Sequence, residues 1–184
     1  MYIDKEYLSS AFSELEENLK KYSLPLWDEL PDIELYMDQV ISILTKYLSI
    51  YYEALGDDKI ITPSMINNYV KLKFIPAPVK KKYSKTHLAY LLVICTLKQT
   101  LDMATIQKIM PVGIDEESIK KTFNSFVENQ RKAYSYVTEH VKVVADPILK
   151  YESDNPERLN DLLMQVSASA NIFKIYTEKI TRQP

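Results

Sequence analysis

The spacing of apolar residues divides the chain into helices joined by short polar or proline-marked breaks. Leu8, Phe12, Leu15 and Leu19 recur at helical intervals and predict a helix over residues 4–21. The stretch "YSLPLWDELPD", with Pro25 and Pro31, interrupts it. Asp32 then reads as an N-cap, and Ile33, Met37, Val40, Ile41, Leu44, Leu48 and Tyr51 predict one long helix over 33–55, stopped by Gly56. In "TPSMINNYVKLKF", Thr62 is placed to cap and Pro63 to open a short helix. Met65, Ile66, Tyr69, Val70 and Leu72 form its inner face, and the helix ends near Phe74 because Pro76 disfavours helical backbone before it.

The next segment, "IPAPVKKKYS", is extended in character and long enough for one small hairpin. Ser84 or Thr86 caps a following helix that runs through Gln99, and its near-continuous apolar run "LAYLLVICTL" predicts burial on several sides. Asp102 caps a further short helix, "MATIQKIM", which Pro111 and Gly113 close. The last third carries two longer patterns. Ile119, Phe123, Phe126, Tyr134, Val137, Val141 and Val144 mark a helix of some 30 residues that Pro147 should end or kink. Asn155 and Pro156 then open a final helix with a stripe from Leu159 and Leu162 to Phe173 and Tyr176.

Composition supports a mainly helical domain. The 184 residues are 46% hydrophobic and 26% charged, which suits a globular chain. Only two glycines are present, so left-handed turns should be few. The lone Cys95 excludes an internal disulfide and, inside an apolar run, reads as a core residue. The first residues lack the basic and apolar blocks of a signal peptide, and the run "LAYLLVIC" is far too short to span a membrane. A cytoplasmic protein with no membrane association is the expectation.

Charge changes the picture more. The net charge is −2, yet residues 59–101 contain no Asp or Glu and eight lysines (59, 71, 73, 80, 81, 82, 85 and 98). The rest of the chain holds the other 15 of 23 basic residues against all 25 acidic ones. Such asymmetry is the footprint of a surface for a polyanion. Catalytic patterns do not appear: His87 and His140 are far apart, and there is no zinc-ligand spacing, glycine-rich phosphate loop or nucleophile elbow. No cofactor or metal is expected, and binding rather than catalysis is the expected activity.

A capped short helix, a proline-bounded lysine turn, a buried helix and a second capped short helix stand in that order. The order resembles the winged helix-turn-helix of MerR-like DNA-binding regulators. Ile66 and Tyr69 match that group's recognition helix, Phe74, Ile75 and Pro78 its turn, and Lys81 and Tyr83 its wing. His87 and Leu88 match the start of its buried helix, and Leu101, Asp102, Met103 and Ile106 the turn into its next one. From "LPDIELYMDQV" through "INNYVKLKFIPAPVKKKYSKTHL" the chain also resembles an uncharacterised bacterial family described as a domain of unknown function with a MerR-like helix-turn-helix. It departs from the MerR pattern at Asn67, where an arginine is usual, and at Lys73, where a glycine is usual. Asparagine can instead pair with both edge atoms of adenine in the major groove.

The resemblance implies a mainly all-α protein: an N-terminal helical extension (1–30), a winged helix-turn-helix with a small two-stranded wing (31–112), and a helical C-terminal region (113–184) that pairs two copies. The partner implied is double-stranded DNA, read by a homodimeric transcriptional regulator acting as a repressor. Asn67 and Asn68 would read bases. Lys71, Lys73, Lys80, Lys81, Lys82 and Lys85 would meet phosphates, and Tyr83 would either hydrogen-bond a phosphate or pack the wing onto the core. His87 reads as a helix-start residue and Tyr69 as core. No effector site carries over. The competing class is a helical protein–protein interaction module whose lysines meet an acidic partner.

Overall fold

The computed structural model describes residues 5–55, 60–150 and 156–181. It is mainly helical: α1 (Lys5–Lys21), α2 (Met37–Tyr47), α3 (Ser49–Leu55), α4 (Pro63–Lys71), α5 (Lys85–Leu97), α6 (Met103–Ile109), α7 (Glu116–Lys150) and α8 (Pro156–Thr181), with a single 3-10 turn at Trp27–Glu29. The chain forms two compact units. One comprises Ser23–Asn129, the other Met1–Tyr22 with Gln130–Pro184, and α7 contributes to both. Gly56, Lys59 and Asn155, to which the pattern gave a helix stop, a charge and a cap, lie outside the described residues.

In the Ser23–Asn129 unit α5 is the centre. Every residue from His87 to Cys95 is buried, so its uninterrupted apolar run is met by protein on all sides. Burial of each such large apolar side chain stabilises the fold by roughly 1.5–3 kcal/mol. α2 and α6 pack on α5, and α4 packs on α2. α2 presents Val40 and Leu44, and Leu48 at its C-cap continues the row, all three four residues apart and inaccessible to solvent. The first half of α7 contributes Ile119, Phe123 and Val127 at the same spacing. Phe123 meets the edge of Trp27 at 6.5 Å between ring centres. Asn124 Oδ1 accepts the Trp27 backbone N–H at 2.8 Å, and Lys120 pairs with Asp28 at 3.0 Å. Cys95 is fully buried, and that burial pushes its thiol up to about 12, an inert core group as expected.

Helix boundaries differ from the sequence reading at several places. Residues 32–36 are not helical. The Leu35 N–H donates to the Tyr83 carbonyl at 2.9 Å and its carbonyl accepts the Tyr83 N–H at 2.8 Å. This antiparallel bridge holds 34–36 extended, leaves Ile33 63% exposed, and delays the helix to Met37. There Gln39 Oε1 accepts the Tyr36 N–H at 2.9 Å. The expected long helix also breaks at Leu48, whose backbone (φ −107°, ψ 17°) leaves the helical region between α2 and α3. Pro147, in contrast, does not end α7, which continues to Lys150. Pro147 is exposed, so water can replace the hydrogen bond that the ring denies to the Val143 carbonyl.

The second unit is a small helical assembly. Lys142 of α7 pairs with Glu16 of α1 at 3.2 Å, and Tyr22 and Tyr134 meet with ring centres 5.7 Å apart. Val141 and Val144 of α7 and Val166 and Phe173 of α8 line a common apolar cavity of about 130 Å³. The core buries Ile119 and Phe123 of the α7 stripe, while its second half borders this cavity with Val137 still 43% exposed. Among the described residues no helix is long and apolar enough to cross a membrane.

Candidate functional site

The surface around α4 follows from how that helix starts and stops. Thr62 Oγ1 accepts the Met65 N–H at 3.3 Å and Pro63 occupies the first turn, as the sequence indicates. Ile66 and Tyr69 are buried, and burial pushes the Tyr69 hydroxyl up to about 12. Leu72, assigned to the inner face, is instead 52% exposed because the helix has already ended. Opposite the buried pair, Ser64, Asn67, Asn68 and Lys71 are all exposed, at the three- and four-residue intervals that align side chains on one helix face.

Pro76 is too far downstream to be what stops α4. The Phe74 N–H donates to the Tyr69 carbonyl at 2.8 Å and the Lys73 N–H to the Val70 carbonyl at 3.0 Å. Lys73 adopts φ +60°. This is a Schellman cap with its usual apolar contact, here Tyr69 against Phe74 at 6.5 Å between ring centres. The left-handed position normally falls to glycine, and a lysine there is strained.

The lysine turn repeats that choice twice. Val79 and Lys82 exchange both backbone hydrogen bonds, at 3.2 and 2.9 Å, and close a hairpin whose two-residue loop is Lys80-Lys81. Both loop residues have positive φ, +50° and +63°. Those signs belong to a type I′ turn, which asparagine and glycine favour. The three positive-φ non-glycine residues of the described chain are thus Lys73, Lys80 and Lys81.

The structure sorts the sequence candidates into two groups. Asn67, Asn68, Lys71, Lys73, Lys80 and Lys81 are exposed, and among the described residues no partner engages their side chains; the Lys73 backbone carbonyl accepts from Gln107 Nε2 at 3.4 Å. The rest are committed within the fold. Lys82 pairs with Glu34 at 2.9 Å and lies 5.9 Å from the centre of the Tyr36 ring. The Glu34 hydrogen bond and charge hold its ammonium above the ordinary lysine range. Lys85 lies 5.6 Å over the buried Trp27 ring. Lys98 donates to the Ile60 carbonyl, and burial lowers its pKa. Of the two roles open to Tyr83, the fold selects packing: it is only 3% exposed and stands edge-on to His87 at 5.3 Å. Its partner strand at Leu35 turns it inward.

His87 joins the hairpin to the core. Its Nδ1 accepts the Ser84 N–H at 3.0 Å and lies 2.9 Å from Ser84 Oγ. That acceptor role places the ring proton on Nε2 when the ring is neutral. Burial is the largest influence on the ring and lowers its pKa below 6.5, against a smaller opposing effect from the backbone of Ala77 and Pro76. Neither Tyr36 nor Val79 was singled out by the sequence, yet both are exposed beside the lysines, at 54% and 65%. Tyr36 is brought there by the bridge between Leu35 and Tyr83, which no local pattern announces.

Among the described residues no group of three or more His, Cys, Asp and Glu side chains is placed to hold a metal ion. What the fold does present is a class of surface: a mainly helical domain with an uncommitted polar helix face and an uncommitted lysine hairpin. Residues 25–137 match the family described as a domain of unknown function, DUF1836, and the chain belongs to that family. No curated protein and no solved structure matches the chain.

Proposed function

We propose that the protein is a sequence-specific double-stranded DNA-binding regulator with a MerR-like winged helix-turn-helix. In this reading α4 enters the major groove. Asn67 and Asn68 address base edges, Lys71 and Lys73 flank them, and the Lys80-Lys81 hairpin is the wing that grips the backbone and sets register. Two copies read two half-sites, and occupancy of the site represses by occlusion. The observation that carries the reading is that Lys73, Lys80 and Lys81 are exposed, unpaired and held in backbone that disfavours lysine. A fold indifferent to their charge would be more stable with glycine or asparagine there. Locally strained residues cluster where function requires them.

The test is duplex binding across a salt series, using DNA from upstream of the gene itself. If Lys71, Lys73, Lys80 and Lys81 each neutralise one phosphate, the logarithm of affinity falls with the logarithm of salt at a slope of about 3.6 per subunit. The double variant Lys80→Asn/Lys81→Gly lowers that slope by about 1.8 while folding more stably than wild type. Absence of duplex binding at moderate salt, with the fold intact, would overturn the reading in favour of a helical protein–protein interaction module.

A further inference from the structure

We propose that the groove between the C-terminal ends of α5 and α6 and the first half of α7 binds a small amphipathic carboxylate. The groove lies wholly within the Ser23–Asn129 unit and measures about 640 Å³, a volume typical of small-molecule sites. α5 contributes Leu97 and α6 contributes Ile109. The opposite wall is one face of α7, carrying Ser118, Lys121, Thr122, Ser125, Phe126 and Asn129 at helical intervals. Leu97, Ile109 and Phe126 are only half-buried, so three large apolar side chains from three helices leave surface open in one concavity. The apolar body of a ligand can cover that surface from several sides at once.

The polar groups specify the rest of the ligand. Ser118 is committed, its hydroxyl donating to Asp115 Oδ2 at 2.6 Å. Asn129 Nδ2 donates to the Ser125 carbonyl at 2.9 Å and to Ser125 Oγ at 3.3 Å. Ser125 Oγ is thus an acceptor there, and its own hydrogen is left to donate. The Thr122 hydroxyl and the Lys121 ammonium have no partner among the described residues. Lys121, Thr122 and Ser125 fall within one turn of α7, so three donors with free hydrogens adjoin on one face. No Asp or Glu lines the groove, and the next cation, Lys120, is already paired with Asp28. Such a cluster suits an oxygen anion, whose charge strengthens each hydrogen bond. A single lysine balances a monoanion, whereas a phosphate dianion would be only half compensated. An uncharged or cationic amphiphile would leave the ammonium unpaired.

The proposal uses none of the residues assigned to the lysine surface and stands whether or not the chain binds DNA. The experiment is calorimetric titration of the full chain with octanoate, 1-octanol and octylammonium, which share a body and differ in the head. A range of about 0.05–5 mM brackets the affinity open to so small a ligand. Octanoate should bind at least about tenfold more tightly than octanol, and octylammonium more weakly than either. Lys121→Gln, a change at an exposed side chain, should bring octanoate down to the level of octanol and leave octanol itself unchanged. Amide chemical shifts on adding octanoate should centre on residues 97, 109 and 121–126. Equal affinity for octanoate and octanol overturns the proposal, as does octanoate binding that survives Lys121→Gln undiminished. Shifts centred on the Lys80-Lys81 hairpin, or no octanoate binding in this range, overturn it too.

Discussion

α5 and the segment 71–81 just before it are neighbours in sequence and opposites in what governs them. Along α5 every position from His87 to Cys95 is buried, and its residue types are those that pack. Along 71–81 four lysines are exposed and unpaired, and three of them occupy backbone better suited to glycine. One segment has the sequence that stability demands. The other departs from it at three points, Lys73, Lys80 and Lys81, always with the same charged residue. Such departures mark places where something other than the fold dictates the residue, and this is why the proposed DNA contact is centred there and not on the other lysines.

The largest effect expected from this contrast lies in the core. Leu91→Ala should cost about 2–5 kcal/mol in urea unfolding, because the site is enclosed and cannot collapse around the missing atoms. Replacing the exposed Val79 by Ala should change stability by at most about 0.5 kcal/mol. Similar losses from the two substitutions would break the distinction between packed and exposed segments.

His87 gives a second, pH-dependent effect at the junction of the two segments. Its folded pKa lies below 6.5, so near and below pH 6.5 the unfolded chain takes up a proton that the folded one resists. The neutral ring's contribution is complete above pH 6.5 and is lost progressively as pH falls toward the folded pKa. His87→Asn, whose Oδ1 can still accept the Ser84 N–H, should flatten this part of the stability profile. An unchanged slope in the variant would mean that another group titrates.

Smaller, and opposite in sign, is the expected gain at the strained turns. Lys73→Gly should stabilise by about 1 kcal/mol, since left-handed backbone disfavours any residue with a Cβ. Thermal unfolding would show it, and a loss of stability would mean that Lys73 makes a contact that outweighs its backbone. The smallest effect separates neighbouring lysines. In the salt series, Lys80→Ala should lower the slope by about 0.9, and Lys82→Ala by less, because Glu34 already neutralises Lys82. Equal slopes would show that Lys82 abandons Glu34 for the polyanion.

The sequence alone determined the features that depend on residues within one or two turns of each other. The caps at Thr62 and Asp102, the burial of α5 and Cys95, the existence of α1, α4, α6, α7 and α8, and the acid-free lysine window were all legible, because their hydrogen bonds and periodicities span only a few residues. Tertiary structure alone decided the rest. The bridge from Leu35 to Tyr83 joins residues 48 apart, turns Tyr83 inward and converts an expected helix start into extended chain. The same approach brings Glu34 to Lys82, while the packing of Trp27 claims Lys85. A row of lysines reads the same whether its charges are spent within the fold or left free, because an ion pair depends on which distant residue the fold delivers.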